Sequence, residues 1–353
     1  MKIFSKIDNK VKTVLIISEN TQRIEEIKQR LALQGINDFS IINKNLSNLN
    51  SNELEFDYWG VVCDISKSTD AKTHIDIIIR LFANELAKVV IGDSDSITLK
   101  QNFEKRGISY LHFGSEANQI YDKLVKFNTN ETKNYAIKIA VIGCKGGIGT
   151  SFCAYHIARL IYDRFSTPTL LVQGANSSLN IDILSGINFE KEHFRANGLS
   201  LYKQNQDENF EFSSNKFKQF NFIIFDYSVQ ALQKELCEDI LNHCDTAILL
   251  SDTSVASVRK AKEIIKVNRF LKSVNKGASK LVFYINTPYK INHLSTDQIE
   301  KIAETKIDLI LPNAGNSELG AKLNRKAQIA FQTAIDNLTG SKKASKFWLF
   351  KAR

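Results

Sequence analysis

The chain has 353 residues, of which 43% are hydrophobic and 24% are charged, and its formal net charge is +9. This composition is ordinary for a folded protein in water, and the length suggests two domains. No run of eighteen apolar residues occurs and the N-terminus lacks the continuous apolar segment of a secretory signal, so we expect neither a transmembrane helix nor secretion.

Short apolar runs alternate with helical patterns over a predicted first domain at 1–128. The runs predict strands at 14–17, 39–42, 60–65, 89–91 and 110–113, and the helical patterns predict helices at 23–33, 75–86 and 117–127. Strands that alternate with helices predict a parallel sheet covered on both faces. A polar segment at 129–136 predicts a linker, which a second domain at 137–340 follows.

The first domain resembles a response-regulator receiver domain, which has a flavodoxin-like fold. That family carries acids after its first strand, a phospho-accepting aspartate after its third and a lysine after its fifth. Here Glu19 is the one remaining acid, Asp64 ends the third strand, and Phe113 stands at the lysine position. Because phosphoryl transfer needs clustered carboxylates and a cation on the phosphate, we expect Asp64 to be a solvated carboxylate at a strand end. An active phosphosite is the alternative.

The most informative segment extends from Lys138 to Phe152, with the sequence KIAVIGCKGGIGTSF. An apolar run at 139–142 predicts a buried strand, and Thr150 and Ser151 open an amphipathic helical pattern. A glycine-rich turn between a strand and a helix forms an anion site, because backbone N–H groups and the helix dipole favour negative charge. The usual phosphate loop ends in G-K-[ST], with the lysine on the phosphates and the hydroxyl on magnesium. Here Thr150 replaces that lysine, whereas Ser151 keeps the hydroxyl.

This segment resembles the deviant phosphate loop of the ParA/MinD ATPases, K-G-G-x-G-K-[ST]. Only the second lysine of that pattern is missing, and the matching positions are Lys145, Gly146, Gly147, Ile148, Gly149, Thr150 and Ser151. The resemblance implies that these seven residues bind the phosphates of ATP and that Ser151 ligates Mg²⁺. It also implies a homodimer in which Lys145 reaches the nucleotide of the partner subunit.

The strand that follows in the ParA/MinD family ends with two aspartates that orient the attacking water. The family pattern V-D-x-D-x-G-L-x-N-L-D-L-I-x-G falls on residues 172–186, where Asn180, Asp182 and Gly186 still match. Gln173 and Ala175 stand at the two aspartate positions. Because phosphoryl transfer depends on positioning and charge neutralisation, we expect little or no hydrolysis and assign no catalytic residue.

The remaining predicted strands lie at 169–172, 222–226, 246–250, 281–285 and 307–311. Asp226 ends a buried apolar run, FIIFD, which resembles a Walker B strand and implies an aspartate near Mg²⁺. Ser254 is a candidate cap for the helix after the next strand. Asn286 and the pair Pro312-Asn313 resemble the family's base-binding strand ends, although an asparagine after a strand is also a common turn former.

The positive charge is concentrated at the end of the chain. The last thirteen residues, SKKASKFWLFKAR, carry five positive charges and no negative one, which leaves +4 for the other 340 residues. We therefore expect no specific nucleic-acid partner. The tail at 341–353 mixes lysines with large apolar residues, which favours peripheral membrane contact as one interpretation. A disordered basic end and a strand-pairing tail are the alternatives.

A receiver-like domain fused to an eroded ParA/MinD loop resembles the CpaE/TadZ-type assembly proteins of the Flp/Tad type IV pilus. The resemblance implies a dimeric localisation factor that binds ATP weakly or as a structural ligand and works with the pilus secretion machinery. Five cysteines without a CxxC pair suggest reduced thiols in the cytoplasm. The resemblance implies a place at the cell pole or the inner face of the inner membrane. An active ParA/MinD-type ATPase and a nucleotide-free interaction scaffold are the alternatives.

Overall fold

A computed structural model describes residues 13–54, 58–127, 136–175, 177–195, 198–205, 211–212, 214–228, 234–287, 294–312 and 323–339. The chain divides into two compact units, Met1–Tyr135 and Ala136–Arg353. Of the predicted linker at 129–136 only Ala136 is among the described residues, and the predicted tail at 341–353 lies outside them. No helix in the described ranges combines the length and apolar character that a membrane crossing needs.

The first unit contains a sheet of five parallel strands in the order β2-β1-β3-β4-β5. This is the flavodoxin-like strand order. The strands are β1 (Val14–Ile17), β2 (Phe39–Ile42), β3 (Gly60–Asp64), β4 (Ala87–Gly92) and β5 (Ser109–His112), and the helices are α1 (Thr21–Ala32), α2 (Ala71–Leu81), α3 (Ile97–Glu104), α4 (Phe113–Glu116) and α5 (Ile120–Phe127).

Three helices of this unit differ from the prediction, and one of them is the short α4, which begins at Phe113 where the prediction has a strand. The helix predicted at 75–86 spans Ala71–Leu81, because the Asp70 side chain accepts a hydrogen bond from the backbone N–H of Thr73 and caps an earlier start. Helix α3 was not predicted. It buries only Leu99 and Phe103, which is too few apolar positions to form a clear helical pattern.

The second unit contains an eight-stranded sheet in the order β13-β12-β11-β6-β10-β7-β9-β8, parallel except for β8. Its strands are β6 (Ile137–Gly143), β7 (Thr169–Gln173), β8 (Glu192–His193), β9 (Leu199–Lys203), β10 (Phe222–Ser228), β11 (Thr246–Ser251), β12 (Lys280–Thr287) and β13 (Leu309–Pro312). Its helices are α6 (Thr150–Phe165), α7 (Ile181–Ser185), α8 (Lys234–His243), α9 (Val255–Ser273), α10 (Thr296–Ala303) and α11 (Arg325–Thr339). The parallel first sheet and the mostly parallel second sheet confirm the predicted fold class, an α/β chain of two doubly wound units.

The central strands of the second sheet are buried apolar runs, and their carboxyl ends meet at one edge. In the strand register, Asp226 of β10 pairs with Val141 of β6 on one side and with Gln173 of β7 on the other. Ligands of open parallel sheets bind outside the carboxyl ends of the strands. The same edge carries the glycine-rich loop that joins β6 to α6.

All five cysteines of the chain are free and buried.

Candidate functional site

The loop between β6 and α6 has the backbone geometry of an anion cradle. Gly147 and Gly149 adopt left-handed conformations, with φ angles of 74° and 85°, which glycine adopts without the steric cost of a side chain. Gly149 is the N-cap residue of α6. The first backbone N–H groups of a helix have no intrahelical acceptor, so this loop presents donors and the positive end of the helix dipole to the same space.

Thr150, at the position of the missing lysine, packs back against the strand. A Cβ atom on Gly143 would lie 2.0 Å from the Oγ1 atom of Thr150, so only a glycine fits at that point. The threonine side chain therefore contacts the end of β6 and brings no positive charge to the loop.

Asp226 is a buried carboxylate at the carboxyl end of the sheet. Its exposed fraction is 0%, and neither carboxylate oxygen has a hydrogen-bond partner among the described residues. Burial raises the pKa of Asp226 to about 6, although the nearby hydroxyls of Ser151 and Ser177 favour the charged form. An uncompensated buried carboxylate is costly. Oxygen ligands are those that Mg²⁺ prefers, so Asp226 and Ser151 suit a Mg²⁺ ion.

The Ser151 hydroxyl contacts the chain segment that follows β7. Its Oγ atom lies 2.6 Å from the Oγ atom of Ser178, and Ser178 in turn donates to Oδ1 of Asn180 at 3.2 Å. The described residues contain no group of three or more His, Cys, Asp or Glu that could hold a metal. A cation at this point would therefore depend on one carboxylate, on hydroxyls and on water.

Lys145, the signature lysine of the loop, forms an ion pair within the same chain. Its Nζ atom lies 3.0 Å from Oδ2 of Asp252, which follows β11, and its side chain is 46% exposed. Burial opposes ionisation of Asp252, but hydrogen bonds from Ser254 and Lys145 outweigh it and lower the pKa of Asp252. Ser254 occupies the N-cap position of α9 as predicted, yet its hydroxyl donates to Asp252 and makes no capping hydrogen bond.

Asn286, the predicted base-binding residue, contacts the loop itself. Its Nδ2 atom donates to the carbonyl oxygen of Ile148 at 2.7 Å. Pro312 ends β13, opposite Thr287 of β12 in the strand register, so Asn286 and Pro312 both lie near the same edge of the sheet. Asn313 lies outside the described residues.

Gln173 pairs with Asp226 in the strand register and Ala175 follows two residues later, and neither brings a carboxylate. Gln173 is buried, and its Nε2 atom has no hydrogen-bond partner among the described residues. The structure thus brings the loop residues, Asp226 and Asn286 together. Ser178 and Asp252 also contact this site and were not predicted, because their partners, Ser151 and Lys145, are distant in sequence. The sequence signal that could have indicated the serines is the pair Ser177-Ser178, which follows shortly after the two positions where the family has aspartates.

Asp64 in the first unit is buried, so the expectation of a solvated carboxylate is wrong. Its side chain is 1% exposed and lies 2.9 Å from Nη1 of Arg23. It also accepts hydrogen bonds from the Ser18 hydroxyl at 2.6 Å and from the backbone N–H of Ser66 at 2.7 Å. The Arg23 guanidinium lies over the ring of Phe113 at 4.9 Å, and it also pairs with Asp93. The guanidinium of Arg23 therefore neutralises the charge of Asp64.

The chain matches no protein-family model and no curated protein by sequence. Its structure is similar to MinD from Pyrococcus furiosus, with 15% identity and a TM-score of 0.45, over 59% of this chain and 98% of that chain. The MinC:MinD complex from Aquifex aeolicus gives 18% identity and a TM-score of 0.44, over 60% and 98%. A ParA family ATPase from Chlorobium tepidum gives 16% and 0.39, over 58% and 95%. These similarities concern the fold.

Proposed function

We propose that the second unit binds ATP with Mg²⁺ as a conformational ligand and hydrolyses it little or not at all. The observation that carries this proposal is the placement of Ser151, at the start of α6, beside the buried and unpartnered carboxylate of Asp226. The left-handed glycines of the loop support phosphate binding at the helix N-terminus. When bound, Mg²⁺ neutralises charge on the phosphates.

Two losses oppose turnover. Thr150 brings no cation to the phosphates, and the loss of one such electrostatic donor typically costs on the order of a hundredfold in rate. Gln173 and Ala175 bring no carboxylate to orient an attacking water. Phosphoryl transfer depends on positioning and on charge neutralisation, so we expect nucleotide binding without appreciable hydrolysis.

Nucleotide binding would control whether two copies of the chain associate as a homodimer. Lys145 is partly exposed, and its single ion pair with Asp252 is of a kind that contributes little free energy. It can therefore exchange Asp252 for phosphate oxygens, including those held by a second copy of the chain.

In the cell, we propose a positioning role in assembly of the Flp/Tad pilus, at the pole or the inner face of the inner membrane. The support is the resemblance to CpaE/TadZ-type proteins, namely a flavodoxin-like first unit before an eroded phosphate loop. The partners would be components of the pilus secretion machinery, with membrane contact through the tail at 341–353. Deletion in the host should abolish pili, and a fluorescent fusion should form a polar focus. Normal pili in the deletion strain would contradict this role.

Calorimetric titration of the nucleotide-stripped full chain with ATP, with and without Mg²⁺, tests the nucleotide function. We expect binding in the micromolar range that Mg²⁺ strengthens and that Ser151→Ala weakens. Ser185→Ala is the matched control, since the Ser185 hydroxyl donates to the Asp182 carbonyl within α7. No binding up to millimolar ATP would favour the nucleotide-free scaffold, whereas steady phosphate release would favour the active ATPase.

A further inference from the structure

Two serine hydroxyls lie next to the carboxylate of Asp226, and a third serine contacts one of them. Ser151 lies in the first turn of α6, whereas Ser177 and Ser178 follow β7. The Oγ atoms of Ser151 and Ser178 are 2.6 Å apart, and the hydroxyls of Ser151 and Ser177 lie next to Asp226. Two segments that are distant in sequence thus bring oxygen atoms to one buried acid.

The Ser151 hydroxyl is held from the segment after β7, whereas Asp226 and Ser177 lack hydrogen bonds that meet ordinary geometry among the described residues. A serine hydroxyl donates one hydrogen bond. The Oγ atoms of Ser178 and Ser151 lie 2.6 Å apart, and Ser178 also lies 3.2 Å from Oδ1 of Asn180, so Ser178 holds the Ser151 hydroxyl in place. The Ser177 hydroxyl and both oxygens of Asp226 have no hydrogen-bond partner among the described residues.

The result is a buried carboxylate with hydroxyl oxygens beside it and no full cation among the neighbours that the structure describes. Gln173, the neighbour of Asp226 in the strand register, does not correct this, because its buried Nε2 atom makes no hydrogen bond to a described residue. An ionised carboxylate in such surroundings needs a cation or a proton. Mg²⁺ prefers oxygen ligands, retains several waters and binds with only one or two protein carboxylates, so the donor set suits it.

We propose that Ser177 is a ligand of the cation that Asp226 and Ser151 hold, and that Ser178 is a positioning residue that orients the Ser151 hydroxyl. This inference rests on the proposed nucleotide function and deepens it, because it connects the segment after β7 to cation binding. The serines stand shortly after Gln173 and Ala175, at the point where carboxylates are missing. Hydroxyl oxygens would thus complete a site that has one carboxylate.

Titration of the full chain with Mn²⁺, followed by the electron paramagnetic resonance signal of the free ion, tests the proposal without activity. Ser177→Val and Ser177→Thr form a matched pair of nearly equal volume that differ in the hydroxyl. We expect Ser177→Val to weaken Mn²⁺ binding by about 10- to 100-fold and Ser178→Ala by roughly tenfold. Ser177→Thr and the control Ser185→Ala should retain the affinity of the wild type. ATP binding in EDTA should be unchanged in the control Ser185→Ala.

Each outcome bears on a different claim. Equal Mn²⁺ affinity for Ser177→Val and Ser177→Thr would overturn Ser177 as a ligand, and an unchanged Ser178→Ala would overturn the positioning role. In either case, Mg²⁺-dependent ATP binding by the wild type would leave the nucleotide function intact. Conversely, Mn²⁺ binding that depends on Ser177 in a chain that binds no ATP would support the cation site and overturn the nucleotide function. A wild type that binds neither would overturn both.

Discussion

Asn286 donates a hydrogen bond from its side-chain nitrogen to the carbonyl oxygen of Ile148 at 2.7 Å, across 138 positions of sequence. The contact joins the end of β12 to the glycine loop between β6 and α6. A side chain predicted to bind the base therefore holds the loop that would bind the phosphates.

Asn286→Ala should weaken ATP and GTP binding by the same factor. The lost hydrogen bond is worth about 1 kcal/mol, or roughly fivefold in affinity, and the disturbed loop is common to both nucleotides. Calorimetry with each nucleotide measures the ratio of the two affinities. A selective loss of ATP binding would instead assign Asn286 to the adenine ring. Asn242→Ala is the control, because the Asn242 side chain accepts a hydrogen bond from the backbone N–H of Gly277 at a distant turn. Asn268 is less suitable because it is buried.

Asp252→Asn should promote nucleotide-dependent self-association. The substitution removes the charge that holds Lys145 at 3.0 Å, which leaves the lysine available for phosphate oxygens. The pair is partly exposed, so the free energy of unfolding should change by less than about 1 kcal/mol. Sedimentation velocity with and without Mg-ATP measures the dimer fraction. Glu263→Gln, which breaks the exposed Lys260–Glu263 pair, should have no effect, and an Asp252→Asn chain that matches it would contradict the prediction.

Thr150→Lys should tighten ATP binding at least tenfold without restoring hydrolysis. The lysine restores a positive charge on the phosphates, but Gln173 and Ala175 still lack the carboxylates that orient water. Binding is measured by calorimetry and turnover by phosphate release. Thr150→Met, which adds length without charge, separates the charge from the disturbed packing on Gly143. Rapid phosphate release by Thr150→Lys alone would show that the aspartate positions are dispensable.

The stability of the second unit should fall on acidification because of His156. This side chain is buried in α6 against Phe152, Tyr155 and Phe331, with ring centroids 4.3, 5.3 and 5.5 Å away. Burial lowers the pKa of His156 to about 4. Its contribution is complete above the unfolded pKa of about 6.5 and is lost as the pH falls toward 4, by about 3 kcal/mol.

Replacement of His156 by Phe should remove this pH dependence. Urea unfolding of the wild type and variant at pH 7.5 and pH 4.5 gives the comparison, in which other titrating groups cancel. His193→Gln, on the short strand β8, serves as the control and should keep the slope of the wild type. A His156→Phe chain that loses as much stability on acidification as the wild type would contradict the assignment.

Arg23 and Asp64 should be strongly coupled, and Asp64 should resist phosphorylation. Arg23→Met leaves a buried carboxylate unpaired, which costs about 3 to 5 kcal/mol, whereas adding Asp64→Asn should recover part of that loss. A double-mutant cycle in urea measures the coupling. Additive effects would contradict it. Incubation of the wild type with acetyl phosphate should leave its mass unchanged, because Asp64 is buried and both of its carboxylate oxygens already accept hydrogen bonds.

The fold is more predictable from this sequence than the contacts of the site. The central strands are predictable because apolar runs such as 139–142 and 222–225 are uninterrupted and end abruptly at a glycine or an acidic residue. Helix α11 was missed although its buried residues, among them Ala327, Phe331 and Ala334, follow a helical period. The contacts of Ser178 and Asp252 depend on how separate strand ends converge, which local periodicity does not encode.

The bare carboxylate of Asp226 also has a consequence for the lifetime of the protein in the cell. A ligand that binds only the folded chain lowers the population of opened molecules that proteases degrade. Under the proposed cation binding, a chain without the cation would carry an uncompensated charge in its core and should be degraded faster than a loaded one. Cellular abundance of this protein would therefore follow the supply of magnesium and nucleotide, even if the chain never turns over a single ATP.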